Sequence, residues 1–438
     1  MDLQRQTTYA GKVKYIFCGV VLFLLAACGS QLTPEPTPAP PRQLRVVLFA
    51  SFSATADAAM QDLVQQWGEQ HQVEVQILNT MPVNPDDSLA SGQFPDCGMI
   101  GELNEWIVNG VLVETTDLIA ELDAAEGGYL ENSLLPSRIE GKQWAIPFAL
   151  VNSVFFVRQD KLTAAGLPLP TTWEDVRLAA EAITIPDQFW GWGMQIGPSG
   201  DTETAFRTKL WSYGGSVWDA EGKPAIDSVA TRQVLEFMQA AWLAGLMPPD
   251  APTWDDSSNN DAYMSGTVGM VLNAGSLLDR LQAEDPALLA NTAVLPAPAG
   301  PAGRFAPGDI RHWAIFKTEN ADLCLQLTAW LLAPTQMRSF YSAGSGYFLP
   351  VHRNLLNDPM WQEPYQKVLA EQAPNTVVTG YPGPITPWAM EARSNGILSA
   401  MIRQVLVDGR DIDAAIAEAD AALWQLYDSW QARRAVSQ

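Results

Sequence analysis

Basic residues are scarce in this sequence of 438 residues: 26 Lys and Arg stand against 49 Asp and Glu, a net charge of −23. Nucleic acids and anionic lipid surfaces are bound through clustered Lys and Arg. No basic run occurs after residue 27, so nucleic acid is excluded as a partner. Histidine is scarcer still, at His71, His312 and His352. No H-E-x-x-H, G-x-x-x-x-G-K-[ST], G-x-S-x-G or C-x-x-C stretch occurs. That removes the signatures of zinc peptidases, P-loop NTPases, α/β hydrolases and dithiol redox enzymes, and no cofactor or metal is expected. Cysteine is limited to four positions, Cys18, Cys28, Cys97 and Cys324. A Cys97–Cys324 disulfide would suit an exported chain. Their apolar surroundings favour two buried free thiols instead, since free Cys packs as a small hydrophobe.

Long apolar runs are also absent, except at the start. Arg5, Lys12 and Lys14 precede the uncharged stretch Tyr15–Ala27. That stretch is short for a bilayer span, which needs roughly 20 apolar residues, and it reads as a secretory signal over 1–27. Leu25-Ala26-Ala27-Cys28 resembles the lipobox of bacterial lipoproteins, which implies cleavage before Cys28 and lipid on its sulfur; a signal anchor with a chance cysteine is the plainer reading. Residues 28–43 follow as a stalk. Pro34, Pro36, Pro38, Pro40 and Pro41 forbid helix and sheet there and favour an extended spacer. Without 1–27, which hold Asp2, Arg5, Lys12 and Lys14, the chain has 48 acidic and 23 basic residues, a balance of −25.

What is abundant is apolar and aromatic. At 47% hydrophobic the chain can bury a large core, and its length suggests two or three domains. Leu44–Phe49, Val73–Asn79 and Cys97–Ile100 read as strands and Asp57–Gln70 as a helix. A second unit opens with strand Ser153–Arg158. Thr172 caps a helix Trp173–Thr184, with Asp175 completing a capping box. Ser228 opens a long amphipathic helix, and Thr267–Asn273 and 312–317 read as strands. Strands alternating with helices predict parallel, doubly wound sheets. There are sixteen tryptophans. Trp67, Trp242 and Trp330 fall on helix faces at core spacing. Trp190, Trp192, Trp218, Trp254 and Trp388 sit among Gly, Pro and polar residues, where no helical face explains them.

"SGQFPDCGMI", "GVLVETTDLI", "GKQWAIPFALVNSVFFVRQDKLTAAGLPLPTTWEDV", "YGGSVWDAEGKPAIDS", "YMSGTVGMVLNAGS" and "GSGYFLPV" occur in that order. In order and spacing they resemble family 1 extracellular solute-binding proteins of ABC importers, over essentially the whole mature chain. Val157-Arg158 departs from the Tyr-Asn usual there. The resemblance implies an α/β chain with a two-lobed periplasmic-binding-protein fold of type II, each lobe a mostly parallel sheet flanked by helices, with the ligand cleft between. The expected lobes are 44–150 with 297–320 and 151–296 with 321–438, joined near Pro147–Asn152, Val294–Ala297 and Lys317–Asn320. It also implies a sugar or oligosaccharide as ligand, an ABC permease as partner, no catalytic residue, and a monomer. With Cys28 lipidated, the chain would sit on the outer face of the bacterial cytoplasmic membrane, and a tether keeps solute and permease within reach at high effective concentration.

Sugars present an apolar face to aromatic rings and a rim of hydroxyls to polar groups. On that ground Trp190 and Trp192 in "WGWG" are candidates, against an equal case for packing on the second lobe, and Trp218 joins the loop set. The resemblance points to Tyr347 in "GSGYFLPV", to Ser276 after "GMVLNAG", and to Gly308 and Asp309 ahead of "RHWAIFK". Ser276 replaces an aromatic of maltose-binding protein, which counts against a maltodextrin. Either His312 or Trp313 faces the core by strand alternation, and Trp313 is carried as the candidate. Asp96 is read first as a structural cap and second as a ligand contact. Glu203 is either a contact or a helix N-terminal acid. Trp254 is a loop aromatic, and Trp388 after "GPIT" suits a helix N-terminal staple as well as a cleft. Ser53 falls just after the first strand, at the end where open α/β sheets bind ligands. The rivals are a receptor for another polyol or a glycerol-phosphate-like solute, with Arg304 and Arg311 at hand, and a surface glycosidase with paired carboxylates. The loop aromatics and the acidic balance favour a neutral sugar.

Overall fold

The computed structural model describes residues 42–437 except 80–87, 89, 102, 125, 126, 140 and 345. The leader, Cys28 and the stalk up to residue 41 lie outside the described residues.

The chain opens with strand β1, Gln43–Val47, whose Leu44 and Val46 are fully buried. Helix α1, Ala54–His71, covers it with Met60, Val64 and Trp67, the spacing the sequence carries, and β2, Glu74–Leu78, returns parallel to β1. Strand β3, Cys97–Ile100, lies parallel on the other side of β1. The long strand β4, Ile146–Arg158, follows. Helix α2, Trp173–Ile183, carries the expected Thr172–Asp175 capping box. Helices α3, Gly200–Ser212, and α4, Val229–Leu243, start at Ser199 and Ser228, each hydroxyl accepting a first-turn N–H. Strand β5, Met270–Ala274, leads into α5, Ser276–Glu284; β6 is Thr292–Leu295 and β7 is Ala306–Ile315. Helices α6, Ala321–Leu331, and α7, Pro334–Ala343, come next, then the short β8, Thr376–Val377. The chain closes with α8, Pro387–Ser394, α9, Ile397–Leu406, and α10, Ile412–Ser437.

Among the described residues these strands form one eight-stranded sheet in the order β2-β1-β3-β7-β4-β5, with β6 also on β4 and β8 on β7. Parallel pairing is confined to β1–β2, β1–β3 and β7–β8; β7 is antiparallel to β3 and β4, and β4 to β5 and β6. The strand expected at 153–158 begins seven residues earlier and the one at 312–317 begins at Ala306. Both are longer than their apolar runs because each serves two sets of neighbours. Residues 146–152 of β4 pair with β7, and 153–158 pair with β5 and β6. A Cβ at Gly308 would overlap the Val151 carbonyl, so only glycine lets β7 approach β4 so closely there.

Two packing facts depart from the expectations. Cys97 on β3 and Cys324 on α6 form a disulfide, with Cα atoms 5.9 Å apart, instead of two free thiols. Their separation of 227 residues hid a pairing made by α6 folding back over the first strands. Helices α6 and α7 pack on α1, while α9 and α10 pack on α4, so the stretch 321–438 does not stay together.

Candidate functional site

The carboxyl ends of β1 and β3 open into a cavity of about 860 Å³, within the range typical of ligand pockets. Val47, Phe49, Met99 and Trp106 line one side, and the start of α3, Asp256 and the α8 residues Met390 and Arg393 line the other. A compartment of about 170 Å³ adjoins it and shares Gly200, Asp256, Asp309, Arg311, Thr379 and Arg393 with it. Three rings border this inner compartment: Phe52, Trp211 and Tyr347. Phe52 is 55% exposed and meets Tyr347 edge-on at 6.5 Å, a free apolar face at the cleft rim. Trp211 packs on Phe305 and Tyr381, and its indole N–H has no partner among the described residues.

Charge is arranged in pairs around the rings. Asp309 and Arg311 are two apart on β7 and so point to the same side. Arg393 on α8 donates to Asp309 at 3.1 Å. Burial works to raise the Asp309 carboxyl, but the charges of Arg393, Arg311 and Arg207 outweigh it and hold it at about 2. Arg207 donates to Glu203 at 3.0 Å inside α3, with Arg207 Nε and Glu203 Oε1 left without partners. Burial, followed by the charge of Arg393, brings Arg207 down to about 10. Asp256 accepts the Asp201 N–H at 2.9 Å, an acid at a helix N-terminus. Asp201 accepts from Gln195 and Asn259, both at 3.1 Å, and is pushed up to about 7 by burial and then by Asp256. His312, deep in the larger cavity, falls to about 4 through burial and the nearby Arg311. Among the described residues no group of three or more His, Cys, Asp or Glu is placed to hold a metal.

The structure brings together Ser276, Gly308, Asp309 and Tyr347 in the inner compartment, with Glu203 directly behind through Arg207. Ser53 lies next to Phe52 but is itself buried; it occupies the N-cap position of α1 yet donates to Asp279 at 2.9 Å instead of capping. The tryptophan candidates do not line either cavity. Trp192 is packed between Trp173 and Phe237, where it covers the buried amine of Lys209 at 4.0 Å from the ring centre. Trp190 bonds through its backbone to Thr267 and packs on the core. Trp218 sits in a turn bridged to Pro224, and Trp254 is buried at the end of a short 3-10 turn. Trp313 is fully buried, facing Ile146 and Met99 across β7. Trp388 is in the first turn of α8, donating to the Gly222 carbonyl at 2.7 Å. Asp96 lies at the start of β3, accepting the Arg45 N–H at 2.8 Å and the Thr318 hydroxyl at 2.6 Å beside a separate cavity. Arg304 bonds to the carbonyls of Pro296, Ala297 and Thr171 and lines neither cavity.

Phe52, Arg207, Trp211, Asp256 and Arg393 are residues the sequence reading missed. One signal was there: Glu203, Arg207 and Trp211 recur at a spacing of four, a single helical stripe mixing charge with an aromatic.

Over residues 53–338, more than half of the chain, the sequence matches the model of a family described as bacterial extracellular solute-binding protein. The chain belongs to that family. A binding protein of Brucella abortus (strain 2308) is 24% identical over 227 residues, 50% of this chain and 54% of that protein. The chain thus spans about half the length of the curated relatives it matches. Among solved structures, the maltose-bound MalE3 of T. maritima aligns with a TM-score of 0.75 at 18% identity, covering 88% of this chain and 99% of that one. The GacH receptor of Streptomyces glaucescens GLA.O, solved unliganded and with acarbose, aligns with a TM-score of 0.75 at 20% identity, covering 88% and 98%. At such identities the likeness establishes the fold, that of the two-lobed periplasmic binding proteins. Among the described residues no helix of this solute-binding protein is long and apolar enough to cross a membrane.

Proposed function

We propose that this protein captures a sugar or oligosaccharide in the cleft and delivers it to the membrane subunits of an ABC importer. The observation that carries the reading is the inner compartment, where Phe52, Trp211 and Tyr347 stand beside the polar set of Asp309, Arg311, Arg393 and Asn273. Rings to stack on a pyranose face, next to groups that bond its rim, are what a sugar needs. The chain acts as a monomeric receptor and not as an enzyme, held outside the cytoplasmic membrane by lipid on Cys28. Its lobes are 44–150 with 297–320 and 151–296 with the later helices, except that α6 and α7 go with the first lobe. Their packing on α1 and the Cys97–Cys324 bond support that assignment. A thermal-shift screen over mono- and oligosaccharides tests the reading, since a ligand that binds only the native state raises its stability by mass action. A rise in melting temperature with at least one sugar, and a smaller radius of gyration in solution scattering, is the expected result. No shift with any sugar contradicts it.

One observation favours a second reading. Asp201 and Asp309 border the same compartment with acidities pushed far apart, as in an acid–base pair acting on a glycosidic bond. Hydrolysis of a glycoside panel would establish that reading; binding without turnover leaves the receptor.

A further inference from the structure

The ion pairs of the inner compartment leave one guanidinium over. Three guanidinium groups, Arg207, Arg311 and Arg393, border it in a chain that has few basic residues to place. Two are matched: Arg393 with Asp309 at 3.1 Å and Arg207 with Glu203 at 3.0 Å. The other two acids of the lining make no ion pair: Asp256 accepts the Asp201 N–H, and the Asp201 carboxyl accepts from Gln195 and Asn259. Arg311 is left over. It lines both compartments, lies beside the Tyr347 hydroxyl, and has no carboxylate within ion-pair distance among the described residues. Arg207 is only 5% exposed and its Nε, in the wall of the same compartment, has no partner.

We propose that the solute carries one carboxylate, as a hexuronic acid does, and that Arg311 binds it while Phe52, Trp211 and Tyr347 hold the sugar ring. This rests on the reading of the cleft as a sugar site and narrows its ligand class. A planar carboxylate matches the guanidinium fork, and such charge-assisted pairs are about twice as strong as neutral hydrogen bonds. A single unpaired guanidinium calls for a single negative charge, which disfavours the dianion of a phosphate ester. The acidic surface does not oppose this. Beyond about 8 Å exposed charges are largely screened at physiological ionic strength, so the groups lining the cleft decide. This proposal departs from the neutral sugar that the loop aromatics and the acidic balance favour in the sequence.

The test is calorimetric titration of the full chain with matched probes: galacturonate, glucuronate and mannuronate, their neutral hexoses, the disaccharides of each, and glucose 6-phosphate. The acidic member of at least one pair is expected to bind about tenfold tighter than its neutral partner, a factor within reach of one charged bidentate contact. That advantage should disappear in Arg311→Gln, whose affinities for the acidic and the neutral member of a pair should converge, and it should shrink as salt is raised, with the melting temperature of the unliganded variant little changed. Neutral sugars binding as tightly as acidic ones would overturn the carboxylate and leave the sugar receptor standing. Preference for glucose 6-phosphate would overturn it too. No binding by any probe would remove both readings. An acidic preference that survives in Arg311→Gln would remove the role given to Arg311.

Discussion

The two faces of helix α3 make opposite use of the same kinds of residue. Toward the cleft, Glu203, Arg207 and Trp211 stand one turn apart, each buried and each with a polar atom lacking a partner. Beside that stripe Phe206 and Leu210 are fully buried in the core, and on the opposite face Lys209 is enclosed by Trp173, Trp192 and Phe237. Burial drives the Lys209 amine well below the usual lysine range. A ring is packed into the fold on one face and borders an open compartment on the other. What separates the two is the open cavity and not the density of aromatics: Lys209 Nζ also lacks a hydrogen-bond partner but is sealed in by rings, whereas Arg207 and Trp211 border the inner compartment.

The largest expected effect falls on the packed face. Trp192→Ala opens a cavity in the core and should cost about 3–5 kcal/mol of stability, with affinity for sugar unchanged. Chemical denaturation and calorimetry read the two quantities separately; lost affinity in a variant of normal stability would move the site back to the tryptophan loops.

Next comes the first turn of α3. The native chain holds a proton on Asp201 up to about pH 7, whereas the unfolded chain releases it near pH 4. Stability should therefore fall as pH rises between these values and level off above them. The total loss across this window amounts to at most roughly 4 kcal/mol, and less here because Asp201 keeps partial contact with cleft water. Asp201→Asn should flatten it, as urea titrations across pH would show; an unchanged slope would mean that another buried acid, such as Asp279, carries it.

The smallest effect is at the rim. Phe52→Ala removes a ring that is 55% exposed, so stability should stay within about 0.5 kcal/mol while affinity for sugar drops by about 1 kcal/mol. Unaltered affinity would show that the ring does not stack on solute.

Much of the fold was legible in the residues. The buried stripe Met60, Val64, Trp67, the Thr172–Asp175 capping box, and the start of α4 at Ser228 are local signals, and local physics decides them. The order of landmarks was enough to indicate the family. The cleft was legible only where a landmark fell on it, as at Gly308, Asp309 and Tyr347. Arg393 reaches it through long-range packing that leaves no periodic trace, whereas Trp211 left one in the stripe Glu203, Arg207, Trp211. The loop tryptophans misled for the converse reason: Trp218 and Trp254 lack a helical face, yet turns and 3-10 segments bury rings as completely as helices do. Cys97 and Cys324 show the same limit, since no local pattern reports a contact across 227 residues.

The central claim is that solute sits against β7, α3 and α8 and not among the loop tryptophans. Hydrogen exchange of the full chain, with and without the sugar that stabilises it most, tests this directly. Protection should concentrate at 306–312, 199–208 and 379–396. Protection confined to 187–192 and 216–226, with those three segments unchanged, would contradict it.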